Sequence, residues 1–140
     1  MTDRNLLDAI LDQLIPANPN RGIPAAGSFG TGDYIDKETQ KDKEFGTALA
    51  SLLMRAAELA GGEVTSTVVR HLEVELPAEF SKLLVATYKG YYSRPEIRLA
   101  VGVGAHPVHP KGYSVAPEPP EVIEALTAPV RARGKAYRDA

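Results

Sequence analysis

Residues 45–62, FGTALASLLMRAAELAGG, decide the fold class of this 140-residue chain. Phe45, Leu49, Leu52, Leu53, Ala56 and Leu59 recur at the three- and four-residue steps that place side chains on one side of a helix. Gly61-Gly62 ends that helix with the left-handed backbone a C-cap requires. A helix with one apolar side must bury it against other elements, so the flanking sequence is read for partners.

Upstream, Leu6, Leu7, Ile10, Leu11 and Leu14 make a second stripe of this kind, with Thr2 or Asp3 able to cap its start and Pro16 stopping it. Residues 16–32, PANPNRGIPAAGSFGTG, hold three prolines and four glycines and too few periodic apolar residues for a regular element. They form a first long loop. Asp33-Tyr34-Ile35-Asp36 is expected to make a short helical turn before a polar stretch reaches Phe45.

Downstream, residues 63–76 read two ways. Val64, Val68, Leu72 and Leu76 recur at every fourth position, whereas Leu72-Glu73-Val74-Glu75-Leu76 alternates like a strand. Helix is preferred because a strand would find few partners elsewhere in the chain. Pro77 suits the first turn of the next helix, whose face is Phe80, Leu83, Leu84, Thr87, Tyr88 and Tyr91. Ser93-Arg94-Pro95-Glu96 has the spacing of a capping box and predicts a short helix carrying Ile97, Ala100 and Val101, ended at Gly102. Residues 102–118, GVGAHPVHPKGYSVAPE, form a second loop rich in proline and glycine. Pro119 and Pro120 open a last helix bearing Val122, Ile123 and Leu126, which Pro129 should kink or end. The expectation is all-α: one compact domain over residues 1–140, a bundle of about five to six helices with two long Pro/Gly-rich loops.

A hydrophobic fraction of 44% with 24% charged residues fits a folded globular chain, far from the composition of disordered ones. A net charge of −2 supplies no general attraction to nucleic-acid phosphates or anionic membranes, and no run approaches the roughly 18 apolar residues of a membrane span. Neither nucleic acid nor a membrane span is therefore expected. The densest basic group, Arg131, Arg133, Lys135 and Arg138, reads as a solvated helix end. The absence of cysteine excludes disulfides, thiolate zinc sites and a cysteine nucleophile. Near the N-terminus Asp8 and Asp12 interrupt the apolar residues, which gives neither the unbroken segment of a secretory signal nor a twin-arginine pair. On this reading the chain is cytoplasmic.

His106 and His109, in His-Pro-Val-His-Pro, are weak metal-ligand candidates. Imidazoles bind zinc, copper or iron, but a site needs a third ligand and none adjoins them in sequence. Loop histidines that pack or hydrogen-bond are the plain alternative. Tyr88 and Tyr91 fall on the core side of their helix; Tyr92 faces elsewhere and could offer its ring or hydroxyl to a ligand. No Gly-x-Ser-x-Gly elbow, phosphate loop or complete dinucleotide motif is present, and Gly30-Thr31-Gly32 and Gly102-Val103-Gly104 read as turns. Asp33, Asp36, Glu73 and Glu75 show no acid–base arrangement in sequence. No catalytic residue is assigned and no cofactor is expected in the chain. Catalysis is left open, with the reading that lacks an active site preferred.

Three pieces of sequence, taken in order, carry a likeness to a known family. Leu14-Ile15-Pro16-Ala17 runs into a glycine/alanine-rich loop and Asp33-Tyr34-Ile35; Phe80-Ser81-Lys82-Leu83-Leu84 leads to Gly90-Tyr91-Tyr92-Ser93-Arg94-Pro95; Pro110-Lys111-Gly112-Tyr113 follows. Together they resemble the small-subunit (subunit 3) family of gluconate 2-dehydrogenase and related flavin-dependent sugar or polyol dehydrogenases. The resemblance implies a helical accessory subunit that associates with a large flavoprotein and assists its assembly, stability or export. FAD and the catalytic base would then lie on the large subunit. Tyr34, Tyr91, Tyr92, Pro110, Gly112 and Tyr113 become candidate partner- or ligand-contact residues.

Two departures bear on that reading. The twin-arginine export signal common in the family is missing, and Glu96-Ile97-Arg98-Leu99-Ala100 stands where a tyrosine–glycine–glycine–asparagine stretch is expected. A cytoplasmic relative with another partner, or with a role of its own, accommodates both. The competing readings are a stand-alone small-ligand- or metal-binding protein, an enzyme included, using residues 102–118 and the neighbouring tyrosines, and a homodimer that completes the burial of apolar helix faces.

Overall fold

The computed structural model describes residues 3–104 and 117–134, and the regular elements among them are helices. They are α1 (Asp3–Leu14), α2 (Gly32–Lys41), α3 (Lys43–Ala60), α4 (Ser66–Glu75), α5 (Pro77–Tyr92), α6 (Pro95–Ala100) and α7 (Pro120–Arg133), with a 3-10 turn at Pro19–Arg21. The chain is all-α, as its periodicity predicts. It divides into two compact units, Met1–Pro107 and Val108–Ala140. The described hydrophobic core lies wholly in the first unit, and α7 buries none of its residues.

The opening stretch, α3, is the hub of the first unit and packs against α1, α2, α4 and α5. Its face is buried as the spacing requires, with Leu52 and Ala56 wholly covered and Phe45 and Leu49 nearly so. Gly61 adopts the left-handed conformation at φ 52° that ends the helix. At the other end Asp42, extended at φ −120° and ψ 100°, closes α2 and caps α3, its carboxylate accepting from the Phe45 N–H at 3.0 Å. One residue thus fixes the corner between two helices.

Within residues 63–76 the regular element is a helix, α4, over Ser66–Glu75. Val68, Val69 and Leu72 are buried while Val74 stands 78% exposed. A strand would have put Leu72 and Val74 on one face. α4 stops at Leu76, and Pro77 occupies the first turn of α5, where its missing N–H costs nothing.

Three expectations are corrected. The turn foreseen at Asp33–Asp36 is the start of the ten-residue α2, because Ile35 is fully buried and Arg4 of α1 grips both aspartates. The capping box at Ser93 does not form: Ser93 keeps helical backbone at the end of α5, and its hydroxyl faces the Gly90 carbonyl at 3.5 Å. Arg94 takes the cap position of α6 with no side-chain bond to the helix, and Pro95 opens it as foreseen. Tyr88, assigned to the core, is 46% exposed, since the buried side of α5 is centred on Leu83 and Thr87 and turns away one residue later. In α7, of the two outcomes foreseen at Pro129, an end of the helix does not occur, since the helix runs on to Arg133.

Candidate functional site

The first loop is irregular yet tied down on both sides. Towards α1, the Ala26 N–H donates to the Ile15 carbonyl at 3.0 Å, and Ser28 donates its N–H and its hydroxyl to the Asp12 carboxylate, each at 2.9 Å. Gly27 lies so close to α1 that an added Cβ would fall 2.0 Å from the Asp8 carbonyl oxygen. Only glycine permits that approach.

Towards α5, the Tyr91 hydroxyl donates to the Pro24 carbonyl. Burial pushes the Tyr91 phenol above its ordinary pKa, and Tyr92 adds to the effect, so the group stays a protonated donor. Arg94 donates to the Gly30 carbonyl at 2.7 Å, and its guanidinium lies 4.8 Å above the Phe29 ring. Phe29 in turn meets Tyr91 edge-on, with ring centroids 5.9 Å apart. The loop and the C-terminal turn of α5 form one packed unit.

α2 is held against the same region. Arg4 binds Asp8 at 3.0 Å and Asp33 and Asp36 at 2.7 Å each, linking α1 to α2. Tyr34 then lies on Gly90 of α5, where a Cβ would come within 2.5 Å of the tyrosine Cδ1. Gly90 is therefore a seat for the Tyr34 ring. Beside that seat runs a groove of about 290 Å³ between α2, the start of α3 and α5. Phe45, Val85, Ala86 and the Tyr34 ring supply apolar surface, α2 and its cap contribute Glu38 and Asp42, and α5 contributes Ser81, Lys82 and Lys89.

No family model, curated protein or solved structure matches this chain. The functional reading rests on the geometry and on the sequence likeness quoted above.

Three of the sequence-selected contact residues, Tyr34, Tyr91 and Tyr92, are brought to one end of α5. They take different parts. Tyr91 is fully buried and serves as a post for the loop. Tyr92 is 42% exposed, packed edge-on against Tyr91 at 5.1 Å and beside Tyr88 at 6.0 Å. Tyr34 is half-buried and walls the groove. His106, His109, Pro110, Gly112 and Tyr113 lie outside the described residues. Among the described residues no cluster of three His, Asp or Glu side chains could hold a metal, and no helix is long and apolar enough to cross a membrane.

Val85, Tyr88 and Tyr92 form an exposed row along the outer side of α5, at the i, i+3, i+7 spacing that aligns side chains on a helix. Sequence reading selected Tyr92 but missed this row and the groove. Tyr88 and Val85 carry no motif, and the groove joins residues from three separate helices, including Phe45 and Lys89.

Proposed function

We propose that this chain is an accessory subunit of a larger flavin-dependent oxidoreductase, assisting the assembly or stability of the subunit that carries FAD. The observation that supports it most is convergence. Two of the three sequence pieces that resemble the small-subunit family, 14–35 and 80–95, meet through the Tyr91–Pro24 and Arg94–Gly30 bonds and the seat of Tyr34 on Gly90. That junction is rigid from beneath and carries exposed Tyr88 and Tyr92 on its outer side. Aromatic residues held on a rigid element are the side chains that contribute most at interfaces, because little rotamer entropy is lost when they are covered.

The test is recovery of the tagged full-length chain from its native cells. A large protein with bound flavin should co-elute in fixed proportion, and Tyr92→Glu should abolish its capture while leaving the helical circular-dichroism spectrum unchanged. Repeated recovery of the chain alone, with a flavin oxidoreductase encoded beside it and expressed, would overturn the proposal.

A further inference from the structure

The groove between α2 and α5 is separate from the exposed row in its chemistry, although Val85 borders both. Its apolar part is built from buried Phe45 and Ala86 with Val85 and the Tyr34 ring, and it is formed before any ligand arrives, because Tyr34 is seated on Gly90. At about 290 Å³ it falls just below the range of ligand pockets, about 300–1,000 Å³, which limits it to a small ligand.

The charges around it largely cancel within the chain. Glu38 is paired with Lys41 at 2.7 Å. The Asp42 carboxylate is engaged as the cap of α3, accepting from Phe45 N–H. Lys82 is paired with Glu44. Lys89 is the remaining cation: among the described residues it has no carboxylate partner, while Asp42 keeps its negative charge as the cap of α3. An apolar body would cover Phe45 and Val85, whereas a second positive charge on the ligand would be repelled by the free ammonium.

We infer that this groove binds a small carboxylate with a compact apolar body, an aryl or short alkyl acid, whose anion meets Lys89 while the body lies against Phe45, Val85 and the Tyr34 ring. This site is independent of the accessory role proposed above and would stand if no flavoprotein partner exists.

The test uses the full-length chain, labelled with ¹⁵N and titrated with phenylacetate and with its neutral amide, phenylacetamide. Phenylacetate is expected to shift the amide signals of Tyr34, Ser81, Val85 and Lys89 saturably, and to bind about fivefold more tightly than the amide, the size of an exposed ion pair. Lys89→Gln should abolish that ratio by weakening the acid and leaving the amide unchanged. Three results each overturn the inference: no saturable shift at these residues up to the solubility of the probe, equal binding of acid and amide to the native chain, or an unchanged ratio in Lys89→Gln.

Discussion

The Tyr91 hydroxyl donates to the Pro24 carbonyl, a bond between residues 67 positions apart that fastens the first loop to the end of α5. Through it, a stretch too rich in proline and glycine to make a regular element becomes part of the packed structure. Tyr91→Phe keeps the ring contacts with Phe29 and Tyr92 and removes only this donor. We expect a loss of about 1 kcal/mol, the net worth of one hydrogen bond. It should read as a lower urea midpoint at unchanged slope, with faster amide exchange in the loop. A variant as stable as the native chain, with unaltered exchange, contradicts the role given to the bond.

Gly90 separates a packing account from helix propensity. An isolated Gly→Ala change inside a helix gains about 1 kcal/mol. Here the new Cβ would meet the Tyr34 ring at 2.5 Å, so overpacking of about 1–3 kcal/mol should outweigh the gain. Gly90→Ala is thus expected to lower the thermal midpoint and to shift the Tyr34 ring resonances. A stabilised variant would show that Tyr34 moves aside without cost.

Acid should weaken the α1–α2 junction. The hydrogen bond from Arg4, and then its charge, hold the Asp33 carboxyl below the ordinary aspartate range. A carboxyl held down in the folded state contributes stability that is complete above its unfolded pKa of about 3.9 and is lost as pH falls through the lower folded value. Glu75, held down by the hydrogen bond from Arg55, acts in the same direction. The native chain should therefore exceed Asp33→Asn in urea midpoint at neutral pH, by a margin that shrinks below about pH 4. A margin that stays constant into strong acid would falsify the assignment to Asp33.

The sequence made some of these features legible and hid others for physical reasons. α3 was readable because its six apolar residues and the terminal Gly61 agree on one period and one end. The ambiguity over 63–76 could be settled only by tertiary burial, since local spacing allowed both readings until Val74 was found exposed. α2 was under-read because its only large fully buried side chain is Ile35; its remaining support, from Arg4 and the Asp42 corner, comes from outside the helix or from its cap. The Ser93 capping box was a spacing match that the backbone did not use, as Ser93 is the C-cap of the preceding helix. Tyr34 is named from a likeness and Tyr92 also from its place off the apolar face, and the structure gives each a distinct setting: Tyr34 on Gly90, Tyr92 on Tyr91. Nothing local could have paired Phe45 with Lys89, because the groove exists only where three helices meet.

The exposed row on α5 should be dispensable for folding. Val85, Tyr88 and Tyr92 are each more than two-fifths exposed, so Tyr88→Glu is expected to change stability by less than about 0.5 kcal/mol, within the range of surface substitutions. A larger loss in chemical denaturation would mean that the Tyr88–Tyr92 contact belongs to the core.

The most direct measurement of the proposed role is sedimentation velocity, followed by flavin absorbance, of a candidate flavoprotein from the native cells mixed with the purified chain. With the native chain the flavin boundary should move to a faster-sedimenting species at saturable stoichiometry, and with the Tyr88→Glu/Tyr92→Glu double variant it should stay where it was. A flavin boundary that the native chain leaves unmoved, or that native and variant chains shift equally, would contradict the account.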